Sequence, residues 1–312
     1  MKLPFEFAPK LIFRLAIPGV LLSVLLWPFL SALMRAFGLT VPATIAFPIA
    51  VVLFGWSMLL LDMPIYMLAE GRRFWPAWIR RWFVAAEQRR LAKHLTGRTH
   101  AEARGDRRAF AEHDVEIRTF PCDRDGLPVV LLPTRLGNLL TSFETYPDQK
   151  YGLDGVFTWY RLWLAADKES RAELDDQQAI ADSGLYVSIG LFAAGPICLL
   201  YAMAGSLSDA AMRSLPGPKV LLAAAAIAPP IGYVLYRLSL FAQQQYGELF
   251  RAFFDQYVGR LDFEKVVNEL AAFMGDPAPL RSTDRNRAAV RFLKWHRYRR
   301  PGAKVNDLVM GW

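Results

Sequence analysis

The sequence has little from which to build a disulfide framework, a metal centre or a familiar catalytic site. Its 312 residues include only two cysteines, Cys122 and Cys198, which lie far apart. This usage excludes a disulfide-stapled scaffold and a cysteine zinc site, and it fits a reducing compartment. The four histidines form no pair at a metal-ligand spacing. Because nucleophile-elbow, phosphate-loop and dinucleotide motifs are also missing from the sequence, we expect no catalytic residue, no metal and no cofactor.

Charge is missing from four long apolar runs, at residues 15–34, 39–61, 184–207 and 220–236. The chain as a whole carries a net charge of +8 and is 54% hydrophobic, so its charged and apolar residues are segregated. A helix needs roughly 20 apolar residues to cross the hydrocarbon core. Three runs meet this length easily and the fourth meets it marginally. The first run is too long for a signal peptide. We therefore predict a mainly α-helical protein with four transmembrane helices.

The distribution of Lys and Arg predicts the orientation of these helices. Basic residues collect in residues 72–108 and again from Arg237 onward, whereas the connections between paired runs contain few. Positive residues collect on the cytoplasmic side of membrane proteins. The pattern predicts a transmembrane hairpin at 1–70, a cytoplasmic segment at 71–182, a second hairpin at 183–241 and a cytoplasmic helical tail at 242–312. Usage rich in Arg, Ala and Trp suggests a bacterial inner membrane.

One small β-element is expected in the cytoplasmic segment. Residues 112–120 alternate loosely between polar and apolar, and residues 127–132 form a short apolar run. Asp-Arg-Asp-Gly at 123–126 lies between them and is typical of a hairpin turn. The fold class predicted is therefore a four-helix transmembrane protein whose helical cytoplasmic region contains a small β-hairpin.

Tryptophan and arginine recur at helical spacing just after the second apolar run. Such a helix suits the lipid headgroup layer, although the aromatic side chains could equally pack on the protein's own helices. The basic, aromatic tail also favours lipid or a subunit interface over nucleic acid, because the membrane surface potential attracts it. The lipid-interface candidates are Trp75, Trp78, Trp82, Arg80, Arg81 and Trp295.

Few residues in or beside the apolar runs suggest a pore or gate. Asp62 follows the second run directly, and an acid at that depth is costly unless it faces a cavity, water or a partner. The simpler alternative is an interfacial acid bonded to Arg72 or Arg73. Pro229-Pro230 interrupts the fourth run and predicts a kink. Small residues four positions apart also let helices approach closely; these pairs are Gly19 and Ser23, Ala46 and Ala50, Gly190 and Ala194, and Ala224 and Ala228.

Two blocks of motifs carry a resemblance. The first is Pro-Thr-Arg-Leu-Gly-Asn at 133–138, followed by Tyr146-Pro147, by Tyr-Gly-Leu-Asp at 151–154 and by Trp-Tyr-Arg-Leu at 159–162; the second is Tyr-Gly-Glu-Leu at 246–249 with Phe-Asp-Gln-Tyr at 254–257. Through them the chain resembles a loose group of uncharacterised bacterial membrane proteins. The resemblance implies a bacterial four-span protein and transfers no activity. Its interaction-motif candidates are Arg135, Asn138, Asp154 and Arg161.

Three functions remain open from the sequence. A homo-oligomeric channel fits the small, interrupted fourth run and the uncharged apolar runs, since a hydrophobic constriction can gate by dewetting. Bestrophin-like chloride channels share this order of segments, but no bestrophin motif is evident. A membrane anchor that recruits a cytoplasmic protein partner is the alternative, and a lipid-acting enzyme is less favoured. Asp175, Asp176 and Asp182 could bind a divalent cation, although solvated acids are the simpler interpretation. The expected partners are the lipid bilayer, further copies of the chain and a cytoplasmic protein.

Overall fold

The computed structural model describes residues 12–122, 129–207, 216–261, 263, 264, 266, 268 and 282–298. A π-helical turn (Ile12–Ala16) opens this part of the chain, and a 3-10 turn (Val258–Arg260) follows the tenth helix. The α-helices are α1 (Ile17–Ala36), α2 (Ala43–Leu60), α3 (Asp62–Ala69), α4 (Ala77–Ala103), α5 (Arg107–Ile117), α6 (Arg135–Glu144), α7 (Tyr146–Tyr151), α8 (Gly155–Ala165), α9 (Lys168–Leu207), α10 (Pro218–Tyr257) and α11 (Ser282–Tyr298).

Four helical stretches are long and apolar enough to cross a membrane. They are Ile12–Ala36, Ala43–Leu60, Lys168–Ala204 and Pro218–Arg260. The prediction of a mainly helical chain with four such helices is confirmed. Helices α9 and α10 each contain 40 residues. At 1.5 Å per residue each is roughly 60 Å long, about twice the thickness of a bilayer core. Each therefore continues beyond its apolar run as a helix that carries polar residues as well as apolar ones.

The chain divides into two compact units. The span unit contains residues up to Met67 and Glu173–Tyr246, and the second unit contains Leu68–Ala172 and the residues from Gly247 onward.

Small residues form the contacts between helices of the span unit. A Cβ atom added at Gly19 would lie 2.3 Å from the Val51 carbonyl oxygen, and one added at Gly55 would lie 2.4 Å from that of Leu15. Such closeness brings the backbones of α1 and α2 together. Between α9 and α10, the Ser188 hydroxyl donates a 2.8 Å hydrogen bond to the Gly232 carbonyl. The buried small residues of this unit include Gly19, Ser23, Ala46 and Ala50.

The second unit contains a helical hairpin, formed by α4 and α5, and its helices are also joined by aromatic contacts. Asp106 caps α5 by accepting a 3.0 Å hydrogen bond from the Ala109 amide. Leu91, Ile117, Phe120 and Leu131 form a buried cluster in this unit. A second contact joins α8 to α10, where Trp159 stacks on Phe250 with ring centroids 4.9 Å apart.

The predicted β-hairpin is not found among the described residues. Its first arm was placed at residues 112–120, but α5 covers Arg107–Ile117, so that prediction is wrong. The Asp106 cap and the ion pairs of Arg108 with Glu112 and of Asp114 with Arg118 stabilise a helix there, and the short alternation does not outweigh them. The predicted turn at residues 123–126 lies outside the described part of the chain.

Candidate functional site

Six polar side chains of the span unit meet where the four apolar runs have one common end. The first and third runs begin at this end, near Arg14 and Asp182, and the second and fourth finish there, near Asp62 and before Gln243. Because alternate spans run in opposite directions, the start of the first and third lies beside the finish of the second and fourth. We name these residues the polar cluster: Arg14, Asp62, Tyr66, Asp182, Tyr186 and Gln243.

Asp182 is the centre of the polar cluster. Its side chain is fully buried, forms an ion pair with Arg14 and accepts a hydrogen bond from the Tyr66 hydroxyl. The Tyr66 oxygen in turn accepts a 2.8 Å hydrogen bond from the buried Gln243 amide. The Asp182 carboxylate is therefore contacted from two other helical segments, and Gln243 on α10 supports one of these contacts through Tyr66.

Asp62 joins the same cluster from the first turn of α3. Its carboxylate accepts a hydrogen bond from the hydroxyl of Tyr186, a buried residue one turn along α9 from Asp182. The simpler reading of Asp62 assigned it to Arg72 or Arg73. Arg72 instead forms ion pairs with Glu70 and Glu144 in the second unit.

The charges of the polar cluster do not balance when both acids are ionised. Two carboxylates then face one guanidinium, which leaves one negative charge beside an apolar environment. Removing an ion from water costs several kcal/mol even after relaxation. Ionisable groups close to a membrane interior are therefore a functional hypothesis by default. A site of this composition can attract a cation or exchange a proton.

Sequence reasoning found only part of this site. Asp62 was singled out, and Asp182 was considered with Asp175 and Asp176 as a cation ligand. In the structure Asp182 instead contacts Arg14 and Tyr66. The described residues contain no group of three His, Cys, Asp or Glu side chains suited to a metal. Arg14, Tyr66, Tyr186 and Gln243 were missed. Their shared signal is that each is a polar residue near the same end of an apolar run.

The two prolines of α10 lie inside a continuous helix. The helix runs from Pro218 to Tyr257 through both of them. Pro229 packs on α9, where a Cβ atom at Gly195 would lie 2.8 Å from its Cγ atom. Pro230 is exposed. The two gate candidates therefore face different surroundings within the span unit.

The lipid-interface candidates in the first turns of α4 and just before it separate into two groups. The half-buried Trp75 donates a 2.8 Å hydrogen bond from its indole N–H to the Leu68 carbonyl and contacts Phe83 edge-on. Trp78 and Trp82 are exposed, as are Arg80 and Arg81. Trp295 lies within α11, but its side chain is outside the described part of the structure.

The four interaction-motif candidates have distinct local environments. Asn138 is fully buried: its carbonyl oxygen accepts from the Leu132 amide at 2.8 Å, and its amide donates to Glu87 at 3.0 Å. Asp154 caps α8 and forms an ion pair with Lys294. The exposed Arg161 bonds to the Phe157 carbonyl one turn earlier at 3.2 Å. Arg135 is half-buried at the first turn of α6.

The two motif blocks meet at Asp255 in the second unit. The Asp255 carboxylate accepts hydrogen bonds from the hydroxyls of Tyr146 and Tyr151 at 2.8 and 2.6 Å and forms an ion pair with Lys150 at 2.9 Å. Tyr257, two positions along, donates to Asp167. The Asp255 contacts join α7 to the last turns of α10, and the Tyr257 contact joins those turns to the residue before α9, so residues of both motif blocks pack together within the second unit.

Comparison with protein-family models, with curated proteins and with solved structures found no match for the chain.

Proposed function

We propose that the protein is a multi-pass protein of a bacterial inner membrane that assembles into a homo-oligomeric channel. The polar cluster would form its cytoplasmic mouth, with Asp62 and Asp182 attracting cations or controlling the gate. The observation that carries the proposal is this group of two acids, one guanidinium and three polar side chains, of which Asp182, Tyr186 and Gln243 are buried, at the common end of four uncharged apolar runs. Such a group is expensive to keep near a membrane unless it works there.

The orientation in this proposal comes from the basic residues. The end that carries the polar cluster connects to the Arg-rich residues 72–108 and to the residues after Arg237. The positive-inside rule places that end in the cytoplasm.

Assembly in this proposal comes from the outer surface of α10. Ala223, Ala226 and Pro230 are exposed beside larger apolar side chains. Small exposed residues on a spanning helix allow a second copy to approach closely. The spans contribute no charge of their own along the pore, so a hydrophobic constriction is the barrier expected there.

Ion flux from liposomes containing the purified protein tests this function. We expect protein-dependent cation flux that is lowered by Asp62→Asn and by Asp182→Asn. Glu173→Gln, which removes an exposed acid from the same helix as Asp182, is the matched control and should leave the flux unchanged. Absence of flux across varied voltage, pH and calcium, or a strictly monomeric protein in native lipid, would contradict the proposal.

A membrane anchor that recruits a cytoplasmic protein is the second candidate. Its specific support is an apolar stripe on α8, where Val156, Tyr160 and Leu164 follow one another at four-residue spacing and are 65%, 76% and 78% exposed. Exposed aromatic and aliphatic stripes on a helix suit a protein interface. A partner that co-purifies at fixed stoichiometry, and is lost from Tyr160→Ala, would favour this function over the channel.

A further inference from the structure

An exposed aromatic surface lies at the start of α4. Phe74, Trp78 and Trp82 recur every four residues and are 70%, 71% and 64% exposed. Their rings are mostly uncovered, although Trp82 contacts Phe83 edge-on with ring centroids 4.8 Å apart. Exposed aromatic groups of this size are unfavourable in water and mark a surface that contacts something else. We call these three residues the aromatic stripe.

The backbone holds the first ring of the aromatic stripe outward at a cost. Phe74 has φ of 67° and is the single non-glycine residue with positive φ in the described chain. A bulky side chain adopts this left-handed region rarely. The neighbouring Trp75 fixes the turn through its indole hydrogen bond to Leu68. The turn between α3 and α4 therefore leaves the Phe74 side chain exposed at the surface.

Positive charge accompanies the aromatic stripe. Residues 71–86 contain no acid. Arg81 lies three positions after Trp78, and Arg89 lies seven positions after Trp82. Both arginines are exposed, and this spacing places them on the same side of the helix as the tryptophans. Arg80 is exposed on a different side. A surface of Trp, Phe and Arg without acid is complementary to the anionic headgroup layer, where aromatic rings occupy the boundary between polar and apolar zones.

The chain itself brings this surface near a bilayer. Span α2 ends at Leu60, and α4 begins at Ala77 after the short helix α3. We infer that the aromatic stripe of α4 seats in the headgroup layer of an anionic membrane, with Phe74, Trp78 and Trp82 as anchors and Arg81 and Arg89 contacting lipid phosphates. This contact is independent of whether the protein conducts ions.

Spin labelling of the full chain in nanodiscs tests the contact. A background with Cys122→Ser and Cys198→Ala receives a nitroxide through Trp78→Cys or Trp82→Cys, and Tyr160→Cys on α8 supplies an equally exposed control position. In discs containing phosphatidylglycerol, we expect the labels at 78 and 82 to be accessible to oxygen and shielded from a water-soluble nickel chelate. The label at 160 should be accessible to nickel.

The arginines provide the second readout. Arg81→Gln combined with Arg89→Gln should shift the ratio of bilayer-seated to water-exposed label toward water by roughly tenfold or more, because each basic residue near the surface contributes about 1 kcal/mol. Arg80→Gln is the matched control on the same helix and should change the ratio little. Discs of phosphatidylcholine alone should reproduce the effect of the double substitution.

Three outcomes would overturn the inference. Labels at 78 and 82 that are as accessible to nickel as the label at 160 would show that the aromatic stripe stays in water. Shielding from both oxygen and nickel would show that a protein surface, such as another copy, covers it. A label at 160 that is accessible to oxygen to the same degree would show that lipid contact is not a property of α4.

Discussion

Asp182 shows what a single buried charge requires. Its carboxylate has no exposed surface, and its neighbours are a guanidinium, a tyrosine hydroxyl and, through that tyrosine, a glutamine. Each neighbour comes from a separate stretch of sequence. The attraction between the paired charges offsets the desolvation cost of burying them. A buried charge that loses its partner keeps that full desolvation cost.

Asp182→Ala is expected to lower the free energy of unfolding by up to about 3–5 kcal/mol, since the half-buried Arg14 would lose its partner. Replacing both residues, with Arg14→Met and Asp182→Leu, should recover much of this loss. Unfolding in a detergent titration followed by tryptophan fluorescence measures both. Glu173→Ala, on an exposed part of the same helix, should stay within about 0.5 kcal/mol of the parent. An equal loss in the double variant would contradict a paired charge.

Glu70 is a second buried acid with a different consequence. Burial raises the pKa of Glu70 to about 7, while the guanidinium of Arg72 lowers it only in part. The ordinary value is 4.5. The folded protein therefore binds a proton at Glu70 over a pH range in which the unfolded chain does not.

The free energy of unfolding should fall as pH rises from about 4.5 to about 7, by roughly 3 kcal/mol, and then level off for this group. The sign follows because the folded state binds more protons in that window. Glu70→Gln should remove this part of the slope, measured by thermal unfolding in detergent at a series of pH values. Glu112→Gln, at an exposed acid of α5, should keep it. An unchanged slope in Glu70→Gln would place the titration elsewhere.

At the scale of elements, close approach of helices depends on the absence of side chains. The contact between α1 and α2 places the Val51 carbonyl where a Cβ atom of residue 19 would stand. Carbonyl oxygens do not move as flexible side chains do, so the helices themselves must separate to admit a methyl group.

Gly19→Ala should therefore destabilise the span unit by about 1–3 kcal/mol, the usual cost of overpacking. Gly217→Ala is the matched control, since a Cβ atom there would meet nothing within 4 Å. Detergent unfolding compares the two variants. If Gly19→Ala were as stable as Gly217→Ala, the backbones of α1 and α2 would not be in contact in the folded protein.

At the scale of the whole molecule, the outer surface of the spans decides between a single copy and an assembly. Most exposed positions of α10 between Val220 and Phe241 carry large apolar side chains that suit lipid tails. The exposed Ala223 and Ala226 interrupt that surface. In lipid, helices associate through close packing rather than through loss of water, so small residues are the expected contact.

In the proposed homo-oligomer, Ala226→Leu combined with Ala223→Leu should shift the protein toward the monomer, because the added side chains hold a second copy away. Ile227→Leu exchanges one large exposed residue for another and should leave assembly unchanged. Native mass spectrometry from nanodiscs measures the stoichiometry of each variant. Retention of the parent oligomer by the double variant would move the interface to another face of the spans.

The amino-acid sequence by itself determined the mainly helical fold and the four helices that are long and apolar enough to cross a membrane. Hydrocarbon requires each spanning segment to satisfy its own backbone hydrogen bonds, so an uncharged run of sufficient length has one solution. A short polar alternation carries no such requirement, which is why residues 112–117 are helical although their pattern favoured a strand. Local caps and i,i+4 ion pairs outweighed the weaker signal.

Only the tertiary structure decided which side chains form the polar cluster. It also decided that Asn138 is buried and bonded to Glu87, and that Trp75 is half-buried whereas Trp78 and Trp82 are exposed. Arg14 and Asp182 stand far apart in the chain, and no period or motif links them. Their pairing follows from the register at which the spans pack, which glycine contacts and side-chain volumes set together. Apolar length is a property of one segment and can be read from it. A pairing of charges is a property of several packed segments, so it appears only once they are assembled.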